Sequence, residues 1–300
     1  MKLEFFAETA GGAKRMDNLI VPFVEGARKL GLSADIRPDG LPSDDCDIAV
    51  VFGNKGQWAS PRKLRDNIIS RQVRHGGIWI GIDIGAFLSW QMAQAETAIS
   101  YRIALGPPNG QGQYFNTNSP ADRWILFRDI LKIDVKEWRE TGDAVLICGQ
   151  ADRGWQYDNP TPYKKWLRTA VQDMRRHTDR PLVFRPHPAD KSRDDRWLLR
   201  HGVEINRDRV GRNLHQVLDH EWAIVTYSSS AAEDSVICGI PAFCRSDNCV
   251  ARVVCNTDYA NLEAPILYDR AQWLHDYAYT SWLVDEIREG IPLKRLLGNL

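Results

Sequence analysis

The sequence lacks most of the motifs that assign a function directly. Its six cysteines form no C-x-x-C pair, which argues against a zinc or redox site. Neither the G-x-G-x-x-G fingerprint of dinucleotide enzymes nor the phosphate-binding loop of NTPases occurs. No apolar run is long enough to span a membrane, and the N-terminus does not have the pattern of a signal peptide. We therefore expect a cytoplasmic protein with reduced, mostly buried thiols and no membrane partner.

The chain also lacks an excess of either charge. It has 39 basic and 39 acidic residues, and 26% of all residues are charged. Proteins that hold nucleic acid by charge alone usually have a basic excess. A local basic groove remains compatible with this balance, and the 11 tryptophans could stack on sugars or bases.

Apolar runs and amphipathic segments alternate along the chain, which predicts an α/β protein with parallel sheets. Strands are predicted at 2–7, 33–37, 47–53, 77–83, 144–150, 181–185, 203–206, 222–227 and 241–244. The Gly-, Asn- and Pro-rich stretch 101–118 predicts a long loop, and the residues from 269 onward predict amphipathic helices. Each half of the chain is predicted to be a doubly wound, Rossmann-like domain.

A short apolar strand in the second half is followed by three serines and a helix of small residues. The hydroxyls of Ser228, Ser229 and Ser230, with the backbone N–H groups that open the helix, could bind a phosphate. The spacing of Ser230 and Glu233 also fits a capping box, which is a purely structural alternative.

Two other predicted strands of this half end in residues suited to the same chemistry. Arg185 and His187 lie between prolines in the segment FRPHP and could pair with phosphate oxygens. Gly149 and Gln150 follow the strand that begins at 144. Because parallel strands end at one edge of a sheet, these residues are expected on the same rim as the serines.

In the first half, Asp83 ends the apolar strand IWIGI. A carboxylate at this edge could act as a general base on a hydroxyl. The alternative is an N-cap for the following helix.

The segment FRPHP, followed by TYSSSAAEDSVICGIPAF, resembles the donor-binding half of GT-B glycosyltransferases, chiefly their capsule-polysaccharide and phage-encoded branches. The segments WIGIDIGAF, PPNGQGQYFNTNSPADRW, AVLICGQADRGW and WLHDYAYTSWLVDEIREG resemble phage glycosyltransferases proposed to decorate hydroxymethylated pyrimidines in DNA. These segments come from both halves of the chain.

The resemblance implies a GT-B-like fold in which two Rossmann-like domains face a central cleft. The N-terminal, acceptor-side domain would span 1–138 and the nucleotide-sugar donor domain 139–270. A C-terminal helical segment at 271–300 would cross back to the first domain.

The resemblance also implies roles for individual residues. Asp83 would be the base, and no metal would be required. The donor, expected to be a UDP-sugar, would be bound by Gly149, Gln150, Arg185, His187, Ser228, Ser229, Ser230 and Glu233. The acceptor, expected to be double-stranded DNA with hydroxymethylated bases, would be bound by Arg102, Asn109 and Trp124, with Trp58, Arg62 and Arg65 as further candidates for stacking or phosphate pairing.

Three other functions remain open from the sequence. One is the same transfer to a polysaccharide or glycan acceptor, which the neutral net charge favours. Another is a nucleotide-sugar epimerase of GT-B shape, which would need more acid and base residues than the motifs supply. The last is a binding module that has kept the fold without catalysis.

Overall fold

A computed structural model describes residues 1–53, 61–94, 98–150, 162–188, 195–207, 213–218 and 220–299, except for the side chains at 61 and 62. The chain forms two compact units. The first contains Met1–Ala86, Ala95–Trp124 and His275–Leu300, and the second contains Phe87–Gln94 and Ile125–Leu274. No helix in the described ranges is long and apolar enough to cross a bilayer.

The first unit is built on a six-stranded sheet with the spatial order β11-β5-β4-β3-β1-β2. Its strands are β1 (Lys2–Phe6), β2 (Ser33–Arg37), β3 (Ile48–Phe52), β4 (Ile78–Ile84), β5 (Ser100–Leu105) and β11 (Ser281–Leu283). The first four strands are parallel to one another, and β5 is antiparallel to both β4 and β11. The helices of this unit are Val21–Lys29, Pro61–Arg74, Val284–Arg288 and Ile291–Leu297.

The second unit is built on a five-stranded sheet with the order β10-β9-β6-β7-β8, and all of its pairs are parallel. Its strands are β6 (Ala144–Cys148), β7 (Leu182–Arg185), β8 (Val203–Ile205), β9 (Glu221–Thr226) and β10 (Ala242–Cys244). Its helices include Leu88–Gln94, Tyr163–Met174 and Ala231–Ile237, while Asp122–Leu131 and Ala271–Ala278 each run across a boundary between the units.

Apolar strands explain why both sheets form. Most residues of β1 and β3 and the central residues of β4 are buried, because side chains pack on both faces of the sheet. The second sheet is likewise covered by two apolar clusters. The prediction of an α/β protein with two Rossmann-like parallel sheets is confirmed.

Two strands were not predicted. Ser100–Leu105 lies in the region expected to be loop, and Ser281–Leu283 interrupts the tail expected to be helical. The tail does contain helices, of which Val284–Arg288 and Ile291–Leu297 pack on Val21–Lys29 within the first unit. The packing is close at Gly26, where an added Cβ would lie 2.2 Å from the Ile287 oxygen.

Candidate functional site

The strand order of the second sheet defines where a ligand is expected. Numbered within the unit, the order is 3-2-1-4-5, the doubly wound arrangement in which successive crossovers change direction between the first and fourth strands. Ligands of such sheets bind beyond the carboxyl ends of the strands at this switch point. Here the switch point lies between β6 and β9, which are followed by Gly149 and Ser228 respectively.

Predicted site residues from the two sides of this switch point are joined by hydrogen bonds. The Gln150 side chain donates a hydrogen bond to the Ser228 Oγ at 2.9 Å, and its Oε1 accepts one from the Ser228 N–H at 3.2 Å. The Gly149 N–H donates to the Arg185 carbonyl at 2.9 Å. The ends of β6, β7 and β9 are therefore fixed to one another, as expected from their common edge.

A cavity of about 210 Å³ opens beside these strand ends. Of the eight predicted donor-binding residues, five line it: Gly149, Arg185, His187, Ser229 and Ser230. Other lining residues are Leu88, Ser89, Met92, Cys148, Pro188, Asn213, Leu214, Ala231 and Asp234. One guanidinium, one imidazole and several hydroxyls thus surround a space at the switch point, a combination suited to phosphate oxygens.

Gly149 has a steric role in this cavity. An added Cβ would lie 2.9 Å from the Phe184 Cζ and 3.0 Å from the Tyr163 hydroxyl. Both contacts are shorter than van der Waals distance, so the packing leaves room only for glycine. Without a side chain, the backbone at the end of β6 stays accessible to a ligand.

The capping box predicted for Ser230 and Glu233 is wrong. Ser230 precedes the helix but makes no side-chain capping hydrogen bond. The Ala231 N–H instead donates to the Ser229 Oγ at 3.2 Å. Glu233 is 0% exposed and is not among the residues that line the cavity.

The carboxyl that lines the cavity is the next one along the chain, Asp234. Its Oδ2 accepts a hydrogen bond from the Ser89 hydroxyl at 2.6 Å. Burial raises the pKa of Asp234 well above its usual value, and the neighbouring Glu233 raises it further. The Ser89 hydrogen bond and the Arg185 charge act in the opposite direction. Sequence reasoning missed both Ser89 and Asp234.

In the first unit, Asp83 lies inside β4 and not at the start of a helix, so the N-cap alternative is excluded. The strand register places it opposite Arg102. Arg102 also donates to the Tyr277 hydroxyl at 2.8 Å. Burial raises the pKa of Asp83, and the charges of Arg102, Arg65 and Arg15 partly offset this rise.

Two of these arginines, Arg15 and Arg65, pack against the carboxyl end of β3. The Arg15 guanidinium lies 4.1 Å from the centroid of the Phe52 ring, where β3 ends. Arg65 is 1% exposed and packs against Gly53, whose added Cβ would lie 3.1 Å from the Arg65 Cζ. The site around Asp83 therefore includes the guanidinium groups of Arg15, Arg65 and Arg102.

The remaining acceptor candidates also belong to the first unit. Trp124 is 8% exposed, so little of its ring is open to a base. The Asn109 Oδ1 accepts a hydrogen bond from the Gln111 N–H at 2.9 Å and so supports its own turn. Trp58 and the Arg62 side chain lie outside the described residues.

One D-x-D tripeptide occurs, at residues 45–47. Both of its carboxylates interact with the first strand. Asp45 pairs with the Lys2 ammonium at 2.8 Å, and Asp47 accepts from the Lys2 N–H at 2.7 Å. The structure therefore gives these acids a role in anchoring the chain terminus to the sheet.

Comparison with known proteins adds evidence on the fold. No family model matches the sequence, and no curated protein matches it significantly. A solved beta Kdo 2,4 transferase structure of KpsC from Thermosulfurimonas dismutans aligns over 93% of this chain and 90% of its own, with a TM-score of 0.52 and 13% identity. The beta Kdo 2,7 transferase structure of KpsC aligns over 97% and 99%, with a TM-score of 0.52 and 14% identity.

The chain has the fold of these transferases. The predicted GT-B-like architecture is thereby confirmed as a fold. A Methanocaldococcus jannaschii UDP-GlcNAc 2-epimerase aligns at a TM-score of 0.33 and 11% identity, a likeness too weak to bear on function.

Proposed function

We propose that the protein is a glycosyltransferase that moves a sugar from a nucleotide-sugar donor to a hydroxyl acceptor. The observation that carries the proposal is the cavity at the switch point of the second sheet. It brings Arg185, His187 and two of the three serines to the position where a doubly wound sheet binds its ligand. The transferase fold of the chain is consistent with this chemistry.

The mechanism follows from the charges that develop during transfer. As the bond between sugar and phosphate breaks, negative charge grows on the leaving diphosphate. Arg185 would stabilise that charge from a position where it is 7% exposed, because electrostatic interactions are stronger where water is excluded. His187 would add a second donor, and the expected donor substrate is a UDP-sugar.

Asp83 is the proposed base. It would accept the proton of the acceptor hydroxyl as that oxygen attacks the sugar. Burial raises the pKa of Asp83, which moves it toward the range in which a carboxylate is an effective base. Arg102 counteracts part of this rise and keeps an ionised fraction available.

For the acceptor, we propose the hydroxymethyl group of a modified pyrimidine in DNA. The phage-type sequence segments support this acceptor, and so do Arg15 and Arg102, the two half-buried arginines around Asp83, which suit a substrate that carries phosphates. A glycan acceptor is the second candidate, because the chain has no net charge.

The test is incubation with a panel of nucleotide sugars and DNA containing hydroxymethylcytosine or hydroxymethyluracil, with unmodified DNA of the same sequence as control. Mass spectrometry should show one added sugar per modified base and none on the control. If the products form only with glycan acceptors, the DNA assignment fails. If no acceptor of either class is modified by any donor, the transferase assignment fails as well.

A further inference from the structure

Two consecutive acids lie beneath the cavity of the second unit. Glu233 is 0% exposed and Asp234 is 3% exposed, although both belong to the short helix that follows the serines. Carboxyl groups are almost never buried to this extent unless they are paired or neutral. Their protonation state therefore decides which hydrogen bonds and which charge a ligand in the cavity would meet.

The two oxygens of Asp234 differ. Oδ2 accepts the Ser89 hydroxyl at 2.6 Å, whereas Oδ1 is shielded from solvent and has no hydrogen-bond partner among the described residues. A buried polar atom left without a partner costs about 1–3 kcal/mol. Since Asp234 lines the cavity, a ligand there could supply the missing hydrogen bond.

The charges around Asp234 favour a neutral carboxyl. From β7, the Arg185 charge lowers the pKa of Asp234, whereas burial and the adjacent Glu233 raise it. The nearby thiols of Cys148 and Cys238 have pKa values raised to about 12, so they stay uncharged. His187 also lines the cavity. Two adjacent buried carboxyls each disfavour the ionisation of the other.

We propose that Asp234 is a donor-binding residue whose Oδ1–H donates a hydrogen bond to a phosphate oxygen of the nucleotide sugar. This inference rests on the proposed function of the cavity. Ser89 is the positioning residue, because its hydroxyl occupies Oδ2 and leaves Oδ1 for the ligand. An uncharged acid can approach a diphosphate without the repulsion that an ionised carboxylate would cause.

The experiment compares Asp234→Asn and Asp234→Ala by calorimetric titration with a nucleoside diphosphate, inorganic pyrophosphate and the nucleoside alone. Asparagine keeps a donor of similar shape, and its carbonyl can still accept from Ser89. We expect its affinity for both phosphate ligands to lie within about threefold of wild type, and that of the alanine variant to fall about tenfold or more. Nucleoside affinity should stay unchanged in both variants.

The pH dependence of the affinity for the phosphate ligands is a second measurement. It does not require the alanine variant to fold. In the wild type, affinity should fall as pH rises through the raised pKa of Asp234, because the ionised form neither donates nor tolerates phosphate. That decline should be absent from Asp234→Asn, whereas contributions from His187 and the ligand remain in both proteins.

Several outcomes would overturn the inference. Loss of affinity in Asp234→Asn equal to that in the alanine variant would mean that an ionised carboxylate is needed. An equal loss of nucleoside affinity would place the contact at the ribose. Unchanged affinity in both variants would remove Asp234 from the site and leave the proposed function intact. If the wild-type protein binds no phosphate ligand, both the role of Asp234 and the proposed function are wrong.

Discussion

Replacing Arg185 by lysine tests the donor site most selectively. Arg185 lies at the end of β7, where its carbonyl accepts the Gly149 N–H at 2.9 Å, so the root of its side chain is fixed. Lysine keeps the positive charge that lowers the pKa of the buried Asp234. It loses the planar fork that can bind two phosphate oxygens at once. The substitution therefore separates phosphate recognition from the charge balance of the core.

The magnitude follows from burial. Arg185 is 7% exposed, so each hydrogen bond from its guanidinium to phosphate forms with little competition from water. A hydrogen bond to a charged group contributes about 1.5–3 kcal/mol. Loss of one such bond should weaken binding of a nucleoside diphosphate by about 10- to 150-fold. Because the charge is retained, the melting temperature should change by no more than a few degrees.

Calorimetric titration measures the affinity, and thermal unfolding checks the fold. Arg176→Lys is the matched control, because Arg176 belongs to the same unit but has a side chain that is 74% exposed. Its affinity should equal that of the wild type. Wild-type affinity in Arg185→Lys, with an intact fold, would refute the assignment of Arg185 to the diphosphate.

Further predictions concern catalysis and stability. Asp83→Asn should abolish transfer but leave nucleotide affinity unchanged, and the wild-type rate should rise with pH through the raised pKa of Asp83; retained turnover would exclude it as base. Gly149→Ala should weaken nucleotide binding. Through its contact with Phe184 it should also lower the free energy of unfolding by about 1–3 kcal/mol in a denaturant titration; an unchanged free energy of unfolding would contradict the close packing at Gly149. Gly239→Ala should cost about 3 kcal/mol, because its φ is +73° and the methyl would meet a backbone oxygen at 1.9 Å. Gly31→Ala, with φ +78° and no atom within 4 Å, should lose only the stability that corresponds to backbone strain. If it costs as much stability as Gly239→Ala, the clash at Gly239 does not contribute.

The sequence was most informative for the second sheet. Parallel strands buried on both faces are continuous apolar runs, so β6, β7 and β9 could be recognised, and their common edge brought Gly149, Arg185 and the serines together. The strand β5 was missed because it precedes a stretch rich in Gly and Pro that predicts loop. The strand β11 has only three residues, Ser281–Leu283, within a helical tail, and its pairing partner is distant in sequence.

The choice between adjacent acids could not be made from the sequence. Consecutive residues on a helix differ in direction by about 100°, so either Glu233 or Asp234 could face a ligand. The family resemblance implied Glu233, whereas the structure has Asp234 lining the cavity. The arginines around Asp83 also come from separate segments, and only the folded sheet places Arg102 opposite it.

A crystal structure of the protein with a bound nucleoside diphosphate tests the central claim most directly. We predict that the diphosphate occupies the cavity at the switch point of the second sheet, with phosphate oxygens about 2.7–3.2 Å from donors of Arg185, His187 and Ser229. A diphosphate bound elsewhere on the chain, with this cavity empty, would contradict the assignment.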